Sequence, residues 1–193
     1  MRTFVYFSST AKTSGNFPVD RLMDAGRMDI AMHVIINAFF LSHFLRDDVV
    51  LHLVFYGAPD PPKHIEIQVN QETGLSKKDV AGLIKKILYK YKPGKKTEVV
   101  PGCFIEKKSF LDVIDELADK GKEIFIMDES GDSIRKTKIS ENGVFVIGDQ
   151  EGFPKKELKR LKKKFKLVSV GPKVYFASQV VTILNNEMDL RGF

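Results

Sequence analysis

The sequence has one cysteine, Cys103. That excludes an internal disulfide and a cysteine-based zinc site. It has no long hydrophobic run. The stretch Ile30 to Leu45 is the longest with helical character, and His33, Asn37, Ser42 and His43 interrupt it; it is too short and too polar to span a bilayer. The N-terminal MRTFVYFS lacks the apolar core and small-residue cleavage site of a signal peptide. These absences lead to the expectation of a cytoplasmic protein. No internal repeat is visible. The four histidines, His33, His43, His52 and His64, show no metal-ligand spacing with cysteine or acidic partners. Core or surface roles are the expectation for each.

What is present is a globular composition, 43% hydrophobic and 29% charged, with a net charge of +6. The positive charge is concentrated. Lys155 to Lys166 (KKELKRLKKKFK) carries eight basic residues and one acidic, and Lys85 to Lys96 (KKILYKYKPGKK) is a second cluster. Either suits a polyanion, and either is equally consistent with a solvated helix face.

Period and turn chemistry give the organisation. Thr3 to Phe7 reads as a strand, and Ser8 to Pro18, rich in Ser, Thr, Gly and Pro, as a long loop. From Arg27 to Arg46 a helix is expected, apolar around most of its circumference and therefore buried or in a subunit interface. Val49 to Tyr56 is a nearly continuous apolar strand, as in a parallel sheet covered on both faces. Ile65 to Val69 alternates and reads as a half-exposed edge strand. Ser76 with Asp79 caps a helix carrying Val80, Leu83, Ile84, Ile87, Leu88 and Tyr91 on one face, and Ser109 caps another through Leu117. Glu123 to Asp128 is the next strand. Strands alternate with helices: an α/β fold, mostly parallel, with helices on both faces. One domain over 1–193 is expected, with a small insertion around 58–74.

The last fifty residues narrow the function. Phe145 to Pro154 (FVIGDQEGFP) is an apolar run ending in a Gly-rich acidic loop. Leu167 to Tyr175 (LVSVGPKVY) is a second apolar run ending in a Gly-Pro loop that opens a closing apolar helix. Loops that begin where parallel strands stop are suited to a small ligand at the carboxyl edge of a sheet. Gly148, Gly152 and Gly171 would let backbone come close to it. Met127 is either an apolar wall or a core side chain, and Lys173 and Tyr175 either line the loop or begin the helix. At the other end of the chain, Asp29 beside Arg27 is either a positioned proton acceptor or a carboxylate stabilising a helix start. Asp149 has the same ambiguity.

The two loops and the closing helix resemble the cofactor half of the SPOUT methyltransferases. The Ser9–Phe17 loop and the Ala25-Gly26-Arg27-Met28-Asp29-Ile30 helix start are similar to the archaeal TrmY group of that class. Ala25-Gly26-Arg27 also resembles the related enzyme that methylates pseudouridine in small-subunit rRNA. The resemblance implies a C-terminal deep trefoil knot and a homodimer that uses S-adenosylmethionine and no metal to methylate N1 of pseudouridine 54 in the tRNA T-loop. It implies cofactor contacts from Met127, Gly148, Gly152, Val170, Gly171, Pro172, Lys173, Val174, Tyr175 and Val180. It implies catalytic roles for Asp29 and Arg27, and RNA contacts from Lys12, Arg21, Arg27, Lys155 and Lys159. Two alternatives stay open: another SPOUT methyltransferase acting on rRNA pseudouridine or a ribose 2′-hydroxyl, and an RNA-binding assembly factor without catalysis.

Overall fold

The structure, a computed structural model, describes residues 1–69 and 73–193. Part of the segment expected to be an insertion, residues 70–72, lies outside the described residues.

Eight strands form a single sheet. Its centre is β1 (Arg2–Ser8), every residue of which is buried. β2 (Val49–Phe55) pairs parallel on one side of β1, and β7 (Gly143–Ile147) parallel on the other. Next to β7 lies β6 (Glu123–Ser133), and outside it β8 (Lys166–Ser169), both parallel. Beyond β2 the sheet continues as an antiparallel wing of β3 (Lys63–Gln68), β5 (Cys103–Glu106) and β4 (Thr97–Val100).

Period-two alternation along the strands assigns side chains to two cores. Phe4, Tyr6, Leu51, Leu53, Phe125 and Phe145 face α1 (Met28–Phe39), α2 (Val80–Tyr89) and α5 (Ala177–Leu190). Val5, Phe7, Val54, Ile126 and Val146 face α3 (Phe110–Asp119) and Leu161 of α4 (Lys155–Lys164). Phe110 and Phe153 stack there and Phe7 packs tilted against both, with centroids 4.8–6.1 Å apart. A mostly parallel α/β sheet covered on both faces is therefore what forms. Among the described residues no helix is long and apolar enough to cross a membrane.

Four expectations about individual elements need correction. β3 is not an edge strand. It sits between β2 and β5 and is mostly buried, because a hairpin that the sequence reading passed over covers it. The hairpin's turn is Pro101-Gly102, and Gly102, at φ 77°, packs so closely that a Cβ would come within 2.1 Å of the Gln68 carbonyl oxygen. The helix expected to run from Arg27 to Arg46 stops at Phe39. Phe40 turns extended, Leu41 and Phe44 close a small turn, and the Arg46 guanidinium is held by Asp189 of α5. β6 runs five residues past Asp128, bulging so that Asp132 and Ser133 pair again with Val168 and Ser169. α2 begins after Asp79 without a side-chain cap bond, whereas the Ser109 cap of α3 accepts from Asp112 N–H at 3.2 Å.

The antiparallel wing buries an imidazole pair. His52 Nδ1 lies 2.9 Å from His64 Nε2, and His64 Nδ1 lies 3.0 Å from Glu106 Oε1. A carboxylate only accepts, so His64 donates to Glu106 through Nδ1 and turns Nε2 toward His52. With Glu66 the two histidines bring possible ligand atoms within 4.8 Å of one another, a grouping that sequence spacing did not suggest. Metal ligation requires lone pairs that converge on one point about 2.0–2.1 Å away. The ring centroids are 5.1 Å apart, little more than the N···N separation plus the two ring radii. The nitrogens thus face each other along a line, as in a hydrogen-bonded chain. Burial pushes the His52 imidazole well below its usual range. The hydrogen bond from His64, joined by Lys108, holds the Glu106 carboxyl down to about 2.

Because the folded-state value of Glu106 is depressed, its contribution is full above about pH 4.5 and is lost as pH falls toward about 2. In urea titrations across that window, wild-type protein should lose about 2 kcal/mol more than Glu106→Gln.

Candidate functional site

β7, β6 and β8 run parallel side by side, so their carboxyl ends open on the same edge. There the chain after β7, the bulge of β6 and the chain after β8 enclose a cavity of about 290 Å³. This is near the lower end of small-molecule sites, about 300–1,000 Å³. Its walls are largely apolar, with Met127, Ile147, Leu158, Val168, Val170 and Val180 among them; Asp128, Glu129, Asp149 and Lys173 supply charge.

Eight of the ten residues expected at the cofactor line this cavity: Met127, Gly148, Gly152, Val170, Lys173, Val174, Tyr175 and Val180. Gly171 and Pro172 do not. Gly171 instead packs against the Tyr175 ring, where a Cβ would lie 3.2 Å from the hydroxyl, and Pro172 is exposed. Lys173 and Tyr175 precede α5, which begins at Ala177, so they belong to the loop. Ser169 shapes that loop: its hydroxyl donates to Gly171 O at 2.8 Å and accepts from Gly171 N–H at 3.2 Å. The glycines after β7 act partly through each other. Gly152 adopts φ 72°, and a Cβ on Gly148 would come within 3.1 Å of the Gly152 backbone. Nine further lining residues were not among those expected, Asp128, Glu129, Phe153 and Leu158 among them. The position of Asp128 near a strand end was the one available signal.

The second constellation lies at the end of β1. The Ser8–Phe17 segment is fastened to its surroundings at many points. Thr10 Oγ1 donates to Gly26 O at 3.0 Å, Lys12 N–H to Ala25 O at 3.2 Å, and Thr13 Oγ1 to Gly57 O at 2.8 Å. Gly26 and Gly57 are required by this contact, since a Cβ on them would meet Thr10 O at 1.8 and 2.1 Å. Next to Gly26, Arg27 has φ 61°, the left-handed conformation that a non-glycine residue adopts at a cost. It directs the guanidinium onto Asp29 in a two-pronged contact, Nε–Oδ1 at 3.1 Å and Nη2–Oδ2 at 3.0 Å. Arg27 and Asp29 are thus brought together, half-buried, with Asp29 in the first turn of α1.

Tyr6 lies between the two constellations. Burial raises its phenol above the ordinary value, and the charges of Asp149 and, more weakly, Asp29 add to the rise. The expected RNA contacts divide. Lys12, Arg21 and Arg27 belong to the N-terminal segment, and Arg21 is exposed. Lys155 and Lys159 are exposed on α4, whose Leu158 lines the cavity. Among the described residues neither enters an ion pair, whereas Arg160 and Lys164 of the same helix are paired with Asp115 and Lys162 with Asp128.

Comparison with known proteins shows the family. The profile of a family described as "Putative SAM-dependent RNA methyltransferase" matches residues 1–193. The chain is 34% identical over 194 residues to a tRNA (pseudouridine(54)-N(1))-methyltransferase of Methanococcoides burtonii, covering 98% of this chain and 96% of that one. It is also 34% identical over 197 residues to the protein of that name in Thermococcus gammatolerans, covering 98% and 97%. Among solved structures, Archaeoglobus fulgidus Nep1 bound to S-adenosylhomocysteine superposes with a TM-score of 0.65 over 99% of both chains at 13% identity, a likeness of fold.

The two left-handed glycines should differ in cost. Gly26→Ala drives a Cβ into backbone and should lose more than about 3 kcal/mol. Gly152→Ala meets nothing within 4 Å and should lose about 1–2 kcal/mol. Urea denaturation of the two variants checks the order; equal losses would contradict the packing assigned to Gly26.

Proposed function

The chain belongs to the S-adenosylmethionine-dependent RNA methyltransferase family, and we propose that it methylates N1 of pseudouridine 54 in the T-loop of tRNA. The observation that carries the proposal is the convergence of three strand-end segments on one apolar cavity, which Asp149 ties to the Ser8–Phe17 segment that borders the Arg27–Asp29 pair. The names of the relatives, similar over nearly the full chain, supply the substrate.

S-adenosylmethionine carries an already activated methyl group. The chain therefore has to orient donor and acceptor and exclude water. Met127, Val170 and Val180 offer apolar walls for the adenine, and the backbone at Gly148 and Gly152 approaches closely. Lys173, Val174 and Tyr175 close the cavity from the β8 side. Gly171 and Pro172 contribute by setting the course of that loop. Bound S-adenosylmethionine would supply its methyl carbon to N1 of the base, and the Asp29 carboxylate would take the ring proton. Arg27 fixes that carboxylate in its two-pronged contact. Lys12, Arg21, Arg27, Lys155 and Lys159 make phosphate contacts.

The same reading includes one domain over residues 1–193 with an insertion around 58–74, and a trefoil knot at the C-terminus. Two contacts support the knot. The backbone of Gly131 presses on β8 so closely that a Cβ would lie 2.4 Å from Val168 N. At the end of α5, Arg191 donates to Ile134 O at 2.6 Å and Thr137 O at 2.9 Å, holding the helix end to the β6–β7 connection. The reading also includes a homodimer. Because α1 and α5 bury much of their apolar surface in the core, the interface would draw on exposed Phe44, Val174 and Phe176. The reading also takes in a cytoplasmic location, where tRNA is found. Light scattering at micromolar concentration should give the mass of a dimer; a monomer would remove that part.

The substrate is tested by mass spectrometry of transcripts incubated with protein and labelled S-adenosylmethionine. A transcript bearing pseudouridine should be methylated and an unmodified one should not, because uridine has a carbon where the nucleophile must be. Asp29→Asn should keep RNA affinity and slow single-turnover transfer by about 10²–10⁴-fold. Arg27→Ala should weaken RNA binding and flatten its salt dependence. Full-rate methylation of unmodified uridine transcript would overturn the substrate assignment.

A further inference from the structure

Asp149 stands where the two constellations meet, and strand register puts it there. Tyr6 is opposite Ile147 in the β1–β7 pair. Two residues further along each chain, Ser8 and Asp149 are consequently neighbours although 141 positions separate them. The two oxygens of the Asp149 carboxylate have different tasks. Oδ1 accepts from Glu151 N–H at 2.9 Å, a local bond that, with Gly152 N–H on Asp149 O at 2.9 Å, sets the turn of the 148–152 loop. Oδ2 accepts three bonds from the other loop: Ser9 N–H at 2.7 Å, Ser9 Oγ at 3.0 Å and Ser8 Oγ at 3.1 Å. Ser8 Oγ in turn accepts from Ala11 N–H at 3.1 Å, which bends the chain into the N-terminal segment. Asp149 and Ser8 are both buried, at 9% and 1% exposure, and Asp149 also lines the cavity.

One carboxylate therefore fixes the shape of a cofactor loop through one oxygen and the start of the acceptor-side segment through the other. A group bonded this way cannot shift toward either ligand without moving the other loop. We propose that Asp149 is a positioning residue that couples the two binding events, so that RNA on the Ser8–Phe17 segment raises affinity for the cofactor and the cofactor raises affinity for RNA by the same factor. Ordering of the shared junction is then paid for by whichever ligand binds first. The proposal rests on the cofactor and RNA assignments made above.

Calorimetry with S-adenosylhomocysteine, alone and with saturating T-loop hairpin RNA containing pseudouridine, measures the coupling without turnover. The ratio of the two affinities is insensitive to direct losses in RNA binding. Wild-type protein should bind S-adenosylhomocysteine about tenfold more tightly with RNA present, within the usual range of about 5–150-fold. Asp149→Asn should bring the ratio close to one. Ser9→Ala should give an intermediate ratio, and Ser9→Thr, which keeps the hydroxyl, should restore it. Far-ultraviolet dichroism and thermal melts check that each variant is folded, and Ser9→Ala alone suffices if Asp149→Asn does not fold. An unchanged ratio in folded Ser9→Ala, or a ratio of one in wild-type protein, overturns the coupling and leaves the cofactor reading standing. Wild-type protein that binds no S-adenosylhomocysteine overturns both.

Discussion

The parallel pairing of β1 with β7 is the constraint on which the arrangement depends. It joins the first strand of the chain to the strand that feeds the cavity, and its register sets Ser8 opposite Asp149. A slip of one residue would exchange the two faces of β1. Phe4 and Tyr6 would then leave the α1–α5 core, and Val5 and Phe7 the core built on α3 and Phe153. Hydrophobic packing on both faces thereby enforces a polar contact at the strand ends. The interior decides where the loops meet.

The two loop systems are held by different means. The N-terminal segment is pinned by backbone and hydroxyl hydrogen bonds to Ala25, Gly26, Gly57 and Ala58, and two of those positions have no room for a side chain. It is a preorganised surface, and the strained Arg27 at its border is supported by the same contacts. The loop after β8 is shaped from within by Ser169, and the loop after β7 by its glycine pair and by Asp149, which also ties it to Ser8 and Ser9.

Charge is used in the same divided way. The basic α4 reads in sequence as one uniform patch. In the fold, Arg160 and Lys164 hold the helix to α3 through Asp115, and Lys162 holds it to β6 through Asp128. Exposed pairs of this kind add little stability, roughly 0–1 kcal/mol each, but they fix which side of the helix stays free. Lys155, Lys156, Lys159 and Lys163 stay exposed outside those pairs. At the opposite end, Arg2 of β1, only 5% exposed, reaches Asp189 at 2.6 Å and the Phe193 carbonyl oxygen at 2.8 Å, tying the C-terminal turn to the first strand.

The alternation of strands and helices was legible in the sequence because continuous apolar runs such as Val49–Phe55, and helix faces such as Val80–Leu88, carry their period with them. Eight of the seventeen residues lining the cavity were legible too, since Gly-rich turns directly after apolar runs mark strand ends. The β4–β5 hairpin was not: it is short, and its pairing with β3 is a contact between distant segments that four-residue runs do not announce. Nor was the end of α1 at Phe39, which is set by Arg46 reaching Asp189 on α5. The sequence alone determined the class of fold and the residues available for chemistry, because those follow from local period and side-chain type. Tertiary structure alone decided that Asp149 faces Ser8 and Ser9, that Arg27 turns back onto Asp29, and that His52 and His64 spend their nitrogens on each other and on Glu106. Each depends on strand register or on a left-handed backbone, and neither has a period to read.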